Sequence, residues 1–205
     1  MTEPDDRELL RRYRAGDPRA FAVLLERHEG ELLRFAARYA RAGARDIAQD
    51  IVQETFLRLI RACAPGGAVP EGGHSSDGHS SDDHPSDGRE IENLSAWLYR
   101  VTRNLAIDEA RKEQRMENRQ HQAAVSEVHR DPTPSVERDE LALVVEAKLD
   151  GLPTRQRDVL ILKIQEEKSY REISTITGLS VSNVGYLIHQ GLKTLASELR
   201  TAGIV

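Results

Sequence analysis

Six side chains in one stretch have the types and spacing for work on a polyanion. Arg100, Arg103, Asn104, Arg111, Lys112 and Arg115 fall within residues 94–115, LSAWLYRVTRNLAIDEARKEQR. Guanidinium and ammonium groups pair with phosphate oxygens, and a carboxamide among them can hydrogen-bond a base edge. The same pattern also describes an ordinary solvated helix face, and the residues alone leave both readings open. Five cations stand against three anions in this stretch. Such an excess neutralises few phosphates, so any free affinity would be weak and steeply salt-sensitive.

A second group with chemical potential is a five-residue repeat: HSSDG from His74, HSSDD from His79 and HPSDG from His84. Three imidazoles interspersed with aspartates could capture zinc, nickel or copper, although a mobile segment offers no preorganised site. The plainer reading is a spacer. Residues 64–90 lack apolar periodicity and are rich in Gly, Ser, Asp and Pro, the composition of a flexible insertion. No Gly-rich phosphate loop, HExxH or GxSxG occurs, so no enzymatic activity and no cofactor is expected.

The elements that must carry these groups read as helices. Hydrophobic residues make up 39% and aromatics only 4%, which suits small helical modules better than one large core. Leu94, Trp97, Leu98, Val101 and Leu105 recur at helical spacing, predicting an apolar stripe centred on Trp97 with the cations largely off it. Upstream, Leu9, Leu10 and Tyr13 form a short amphipathic set closed by Gly16. Asp17 and Pro18 then have the order of a helix start. Phe21, Leu24, Leu25 and His28 continue that pattern, Leu32 to Tyr39 make a further run, and Gly43 marks a break. Ile47, Ile51, Phe56, Leu59 and Ile60 give the next helix its apolar face, over about residues 45–61. Cys63 reads as a small buried apolar side chain, and a lone cysteine implies no disulfide framework.

Residues 116–138 carry Pro132 and Pro134, have no long apolar run, and read as a linker. Beyond them Leu141, Leu143, Val144, Val145 and Leu149 predict a helix ending near Gly151. Val159, Leu160, Leu162 and Ile164 predict another after Pro153 and Thr154. Ser169 and Glu172 have capping-box spacing, Gly178 can take a left-handed turn, and Ser180 can cap a longer helix. The apolar positions there are Val184, Leu187, Ile188, Leu192 and Leu195. Short helix, glycine turn and longer helix have the spacing of a helix-turn-helix, whose second helix enters a DNA groove.

DIVQETFLRLIR at 50–61, WLYRVTRNLAIDEAR at 97–111 and SYREISTITGLSVSNVGYLIHQGLKTL at 169–195 together resemble a bacterial RNA polymerase sigma factor. The likeness is to the extracytoplasmic-function group, which retains the second and fourth sigma regions. It implies an all-α chain of two small helical domains joined by a flexible linker. The second-region bundle is expected over 1–115 with the insertion at 64–90, the linker over 116–138, and the fourth-region domain over 139–205. It also implies that Asp50, Gln53 and Glu54 dock on the clamp helices of core RNA polymerase. Arg100, Arg103, Asn104, Arg111, Lys112 and Arg115 would meet the opened −10 element. Ser182, Asn183, Gly185, Tyr186, His189, Gln190 and Lys193 would face the −35 element. Where relatives often carry arginine, this chain has Gly185 and Gln190, so its −35 preference departs from theirs or leans on DNA shape.

Implied partners are core polymerase, promoter DNA and a cognate anti-sigma factor that masks both domains. The expected place is the cytoplasm, with that partner able to hold the chain at a membrane. No apolar run approaches the roughly 20 residues needed to span a bilayer. Two alternatives stand beside the sigma reading: a helix-turn-helix regulator acting without polymerase, and a metal-sensing protein working through His74, His79 and His84.

Overall fold

The computed structural model describes residues 3–39, 45–64, 91–121 and 140–202. The chain divides into two compact units, Met1–His129 and Arg130–Val205, and among the described residues the regular structure is entirely helical.

In the first unit, α1 (Asp6–Arg14) starts where the Asp5 carboxylate accepts the Glu8 amide at 2.7 Å. Gly16, at φ +96°, makes the left-handed turn that a side chain would resist. Asp17 then caps α2 (Pro18–Ala37), accepting the Arg19 amide at 3.0 Å, with Pro18 at the first helical position where its missing N–H costs nothing. The two apolar runs read from the sequence over Phe21 to Tyr39 join in this one 20-residue helix, apart from Tyr39, which lies just past its end. Helix α3 (Arg45–Cys63) packs on α2, and α4 (Leu94–His121) packs on both. Leu24, Leu32 and Phe35 of α2, Val52, Phe56 and Leu59 of α3, and Leu98 and Tyr99 of α4 fill the space between them. Each such side chain contributes about 1.5–3 kcal/mol by leaving water. Cys63 is buried and unpaired, and burial pushes its thiol up, as an inert core residue requires.

The buried side of α4 differs from the stripe expected around Trp97. Leu94, Leu98, Tyr99, Thr102 and Ala106 are buried, while Trp97, Val101 and Leu105 are only half-buried. The helix is rolled so that two polar groups go inward, each with a partner. The Tyr99 hydroxyl donates to Glu31 Oε2 at 3.2 Å and its ring lies edge-on to Phe35 at 5.0 Å. Thr102 meets Thr55 of α3 at 3.1 Å between their hydroxyl oxygens. A buried hydroxyl with a partner loses little, so packing rather than polarity chose the face. On α3, Ile60 is also outside the core, at 37% exposure. Helix α4 continues to His121, six residues into the expected linker; residues 122–139, most of the 64–90 insertion and Gly43 lie outside the described residues.

In the second unit α5 (Glu140–Asp150) and α6 (Thr154–Leu160) pack on the long α8 (Val181–Thr201), with α7 (Tyr170–Thr177) beside it. A π-helical turn, Ile161–Gln165, follows α6 directly. It buries Ile161 and Leu162 and turns Ile164 outward to 52% exposure, against the expectation that Ile164 belongs to the core. The wider turn shifts every following side chain relative to a 3.6-residue count. Leu192 of α8 is likewise exposed rather than packed. Gly191 is buried because α6 passes so near that an added Cβ would stand 2.8 Å from Leu160 Cδ1.

Candidate nucleic-acid interface

The helix-turn-helix is built from α7, Gly178 and α8. Ser169 and Glu172 close a capping box: the Glu172 amide donates to Ser169 Oγ at 3.3 Å, and the Ser169 amide to Glu172 Oε2 at 2.8 Å. The serine hydrogen bonds favour the charged form and hold the Glu172 carboxyl below its usual range. Gly178 sits at φ +72°, ending α7, and the Ser180 hydroxyl accepts the Asn183 amide at 3.2 Å to start α8. Ile173 and Ile176 of α7 and Val184 and Ile188 of α8 are buried, and the two helices pack on one another.

With Val184, Ile188, Gly191 and Leu195 buried, helical spacing puts Ser182, Tyr186, His189 and Lys193 on the opposite side of α8. All four are exposed, Tyr186 to 60%. Asn183 is exposed and Gln190 half-buried, seven residues apart on one flank of that ridge. Gly185 lies on the other flank, where a Cβ would meet the Tyr170 ring at 3.6 Å. The structure therefore groups Ser182, Asn183, Tyr186, His189, Gln190 and Lys193 on one accessible surface, with Gly185 off it beside Tyr170. Sequence reasoning had no signal for Tyr170, which lies at the far end of the motif. The ammonium of Lys163 stands 5.6 Å from the Tyr170 ring centre.

On α4, Asn104, Arg111, Lys112 and Arg115 are exposed, and Arg100 and Arg103 are half-buried. Trp97, Arg100, Asn104 and Arg111 follow one another at spacings of three, four and seven, so the half-buried indole shares their side of the helix. Sequence reasoning assigned Trp97 to the core instead. Lys112 pairs with Glu109 at 2.8 Å, and the glutamate's hydrogen bond raises the lysine above its ordinary value. Arg111 lies 3.9 Å from Asp108. Exposed pairs of this kind contribute about 0–1 kcal/mol, so an arriving phosphate can displace them.

On α3, Asp50 and Gln53 are exposed on the same side as Leu57 and Ile60, which are 38% and 37% exposed. Gln53, Leu57 and Ile60 border a groove of about 390 Å³ between α2 and α3, floored by Phe21, Leu25 and Phe56. Their spacing of four and three was the available signal for this apolar edge. Glu54 is turned toward its own helix, accepting from Arg58 Nε at 3.1 Å and from Arg61 at 3.3 Å. Among the described residues no group of His, Cys, Asp or Glu is placed to hold a metal; His74, His79 and His84 lie outside them.

Two family models match, one in each unit. Residues 24–66 match sigma-70 region 2, and residues 142–195 match sigma-70 region 4. Two such regions in this order on helical units define a sigma factor. The chain is 26% identical over 201 residues to the ECF RNA polymerase sigma factor SigW of Bacillus subtilis, covering 93% of this chain and 95% of that protein. It carries both sigma-70 regions and is similar to sigma factors of the extracytoplasmic-function (ECF) group. The fold is shared with CnrH, solved with the cytosolic domain of CnrY, at TM-score 0.64 and 24% identity, covering 96% of this chain and 97% of that one. It is also shared with RpoE of Bartonella quintana, solved with the anti-sigma factor NepR, at TM-score 0.57 and 22% identity over 88% and 96% of the two chains.

Proposed function

We propose that this chain binds core RNA polymerase and directs initiation at a particular promoter set through three separate surfaces. The observation that carries the reading is the pairing of both sigma regions, in order, with a complete capped helix-turn-helix in the second unit. Asp50 and Gln53 of α3, with Leu57 and Ile60 beside them, form the polymerase-docking edge. Glu54 supports that edge through Arg58 and Arg61. Arg100, Arg103, Asn104, Arg111, Lys112 and Arg115 of α4 form the −10 surface, where cations hold the backbone of opened DNA and the Asn104 amide meets a base. The exposed ridge of α8 reads the −35 element in the major groove.

The domain limits are those of the sequence: 1–115 for the first module, 116–138 for the connection, with α4 reaching into it, and 139–205 for the second. Each module is weak on its own. Held together on one polymerase they gain effective concentration, which suits a chain whose net charge is −5. The chain supplies contacts rather than covalent chemistry. Among the described residues no helix is long and apolar enough to cross a membrane. The place of action is wherever polymerase and DNA are, the cytoplasm. RpoE and CnrH were each solved with a bound partner, which supports a cognate anti-sigma factor for this chain. None of the matches supports a polymerase-independent regulator or a metal sensor.

In vitro transcription tests the reading. Core polymerase with this chain, given fragments of the source genome, is expected to start at a small set of sites sharing −10 and −35 elements. Intact promoter binding with no association to core polymerase would overturn it.

A further inference from the structure

We infer that the arginine side of α1 is a docking surface for the acidic insertion of this same chain, residues 65–90, held there by charge. Arg7, Arg11 and Arg14 follow one another at spacings of four and three, so they share one side of the helix, while Leu9 and Leu10 anchor it to the bundle. All three arginines are exposed, Arg11 with 77% of its side chain open to solvent. Arg11 also contacts Glu8 of its own helix, and its guanidinium has further donors to offer. The insertion leaves and returns at the two ends of this side. At one end the Arg14 guanidinium reaches the thiol of Cys63, the last residue of α3. At the other, Arg7 borders a cleft with Ile91, Glu92 and Asn93, just before α4 starts. From Arg7 to Arg14 is about 10 Å of helix. The 26 residues of the insertion have ample length to cross it.

The charges are complementary. Residues 65–90 hold six carboxylates, Glu71, Asp77, Asp82, Asp83, Asp87 and Glu90, against one cation, Arg89. That net of −5 equals the formal net charge of the whole chain, so the negative excess resides here and the remainder is neutral in sum. Asp87 stands four positions before Ile91 and Glu71 seven after Ala64, which tethers carboxylates near Arg7 and Arg14 at high effective concentration. The cations of α4 are the competing surface. Arg100 and Arg103 there are half-buried, and Arg111 and Lys112 lie about 25 Å along the helix from Leu94 and already face Asp108 and Glu109. Exposed ion pairs contribute little one at a time, so the docking draws on several at once and weakens with salt.

The test places a nitroxide at residue 80 of the full chain, as Ser80→Cys in a Cys63→Ala background, and reads the broadening of backbone amide signals. The signals of Arg7 to Arg14 are expected to broaden. The effect should fall about threefold or more at about 0.5 M salt, where charges are screened over a few ångströms. It should be abolished by Arg7→Gln, Arg11→Gln and Arg14→Gln together. Asp77→Asn, Asp82→Asn, Asp83→Asn and Asp87→Asn together should abolish it equally, and this second variant changes nothing in the helices. Broadening confined to α4, or broadening of α1 that survives the four asparagines, overturns the inference. Absence of broadening on α1 overturns it too; promoter complexes weakened by the three glutamines would then give that side of α1 to DNA.

Discussion

The Nε2 of His28, buried in α2, donates to Asp6 Oδ2 of α1 at 2.8 Å, while Arg27 holds the other oxygen of the same carboxylate. This is the polar fastening of the first helix to the bundle, and Glu3 adds a looser contact to Arg27 at 3.6 Å. The His28 hydrogen bond, with Arg27 adding to it, keeps the Asp6 carboxyl below its usual range although burial pushes it up.

A depressed folded-state value means that the stability from Asp6 is complete above the ordinary carboxylate range. It is lost as pH falls through that lower value. Asp6→Asn keeps the shape but not the charge, and is expected to cost about 1–3 kcal/mol near neutral pH. Denaturant unfolding of wild type and variant at a series of pH values checks this. The gap should close in acid; a gap independent of pH would show that the charge is not what fastens α1.

The buried Thr55–Thr102 pair should respond asymmetrically. Thr55 donates to the Ile51 carbonyl at 2.9 Å, so the Thr102 hydroxyl is the donor to Thr55. Thr102→Val leaves Thr55 bonded to Ile51 and should cost less than about 1 kcal/mol. Thr55→Val strands the Thr102 hydroxyl in the core, at about 1–3 kcal/mol, and the double valine variant should recover most of that loss. Equal costs for the two single variants, measured by chemical unfolding, would contradict the donor assignment.

Gly191→Ala should destabilise the second unit even though alanine is the better helix former. The added carbon would stand 2.8 Å and 3.2 Å from two atoms of Leu160, which is fully buried, so that side chain must shift within the core. Overpacking of this kind costs about 1–3 kcal/mol, against a propensity gain of about 1 kcal/mol. A lower unfolding midpoint, partly restored by adding Leu160→Val, is the expected result. An unchanged or raised midpoint would mean that α6 and α8 separate easily.

Asn104→Ala should impair promoter opening more than polymerase binding, because Asn104 is exposed on α4 and the docking edge proposed above is on α3. A reduction of tenfold or more in open complexes, read by permanganate footprinting, is expected with core affinity changed less than twofold. Equal loss in both would point to damage to the bundle instead.

Much of this molecule was legible locally. Asp17–Pro18, the Ser169–Glu172 capping box, Gly178 and Ser180 announce helix ends through hydrogen bonds that close within three or four residues, so nothing distant can override them. The three motifs that mark the family were equally plain, as was the exposed ridge of α8. Only the tertiary structure decided which side of α4 is core. Periodicity sorts residues by polarity, and it placed Trp97 on the buried stripe without including Tyr99 or Thr102. Partners 68 and 47 positions away, Glu31 and Thr55, let Tyr99 and Thr102 go inward by satisfying their polar atoms. The same holds for Ile164, turned out by a π-helical turn that no 3.6-residue count contains. Short-range hydrogen bonds and sequence motifs determined where the helices start and which family they resemble. Long-range packing determined which of their faces remain free to meet polymerase and DNA.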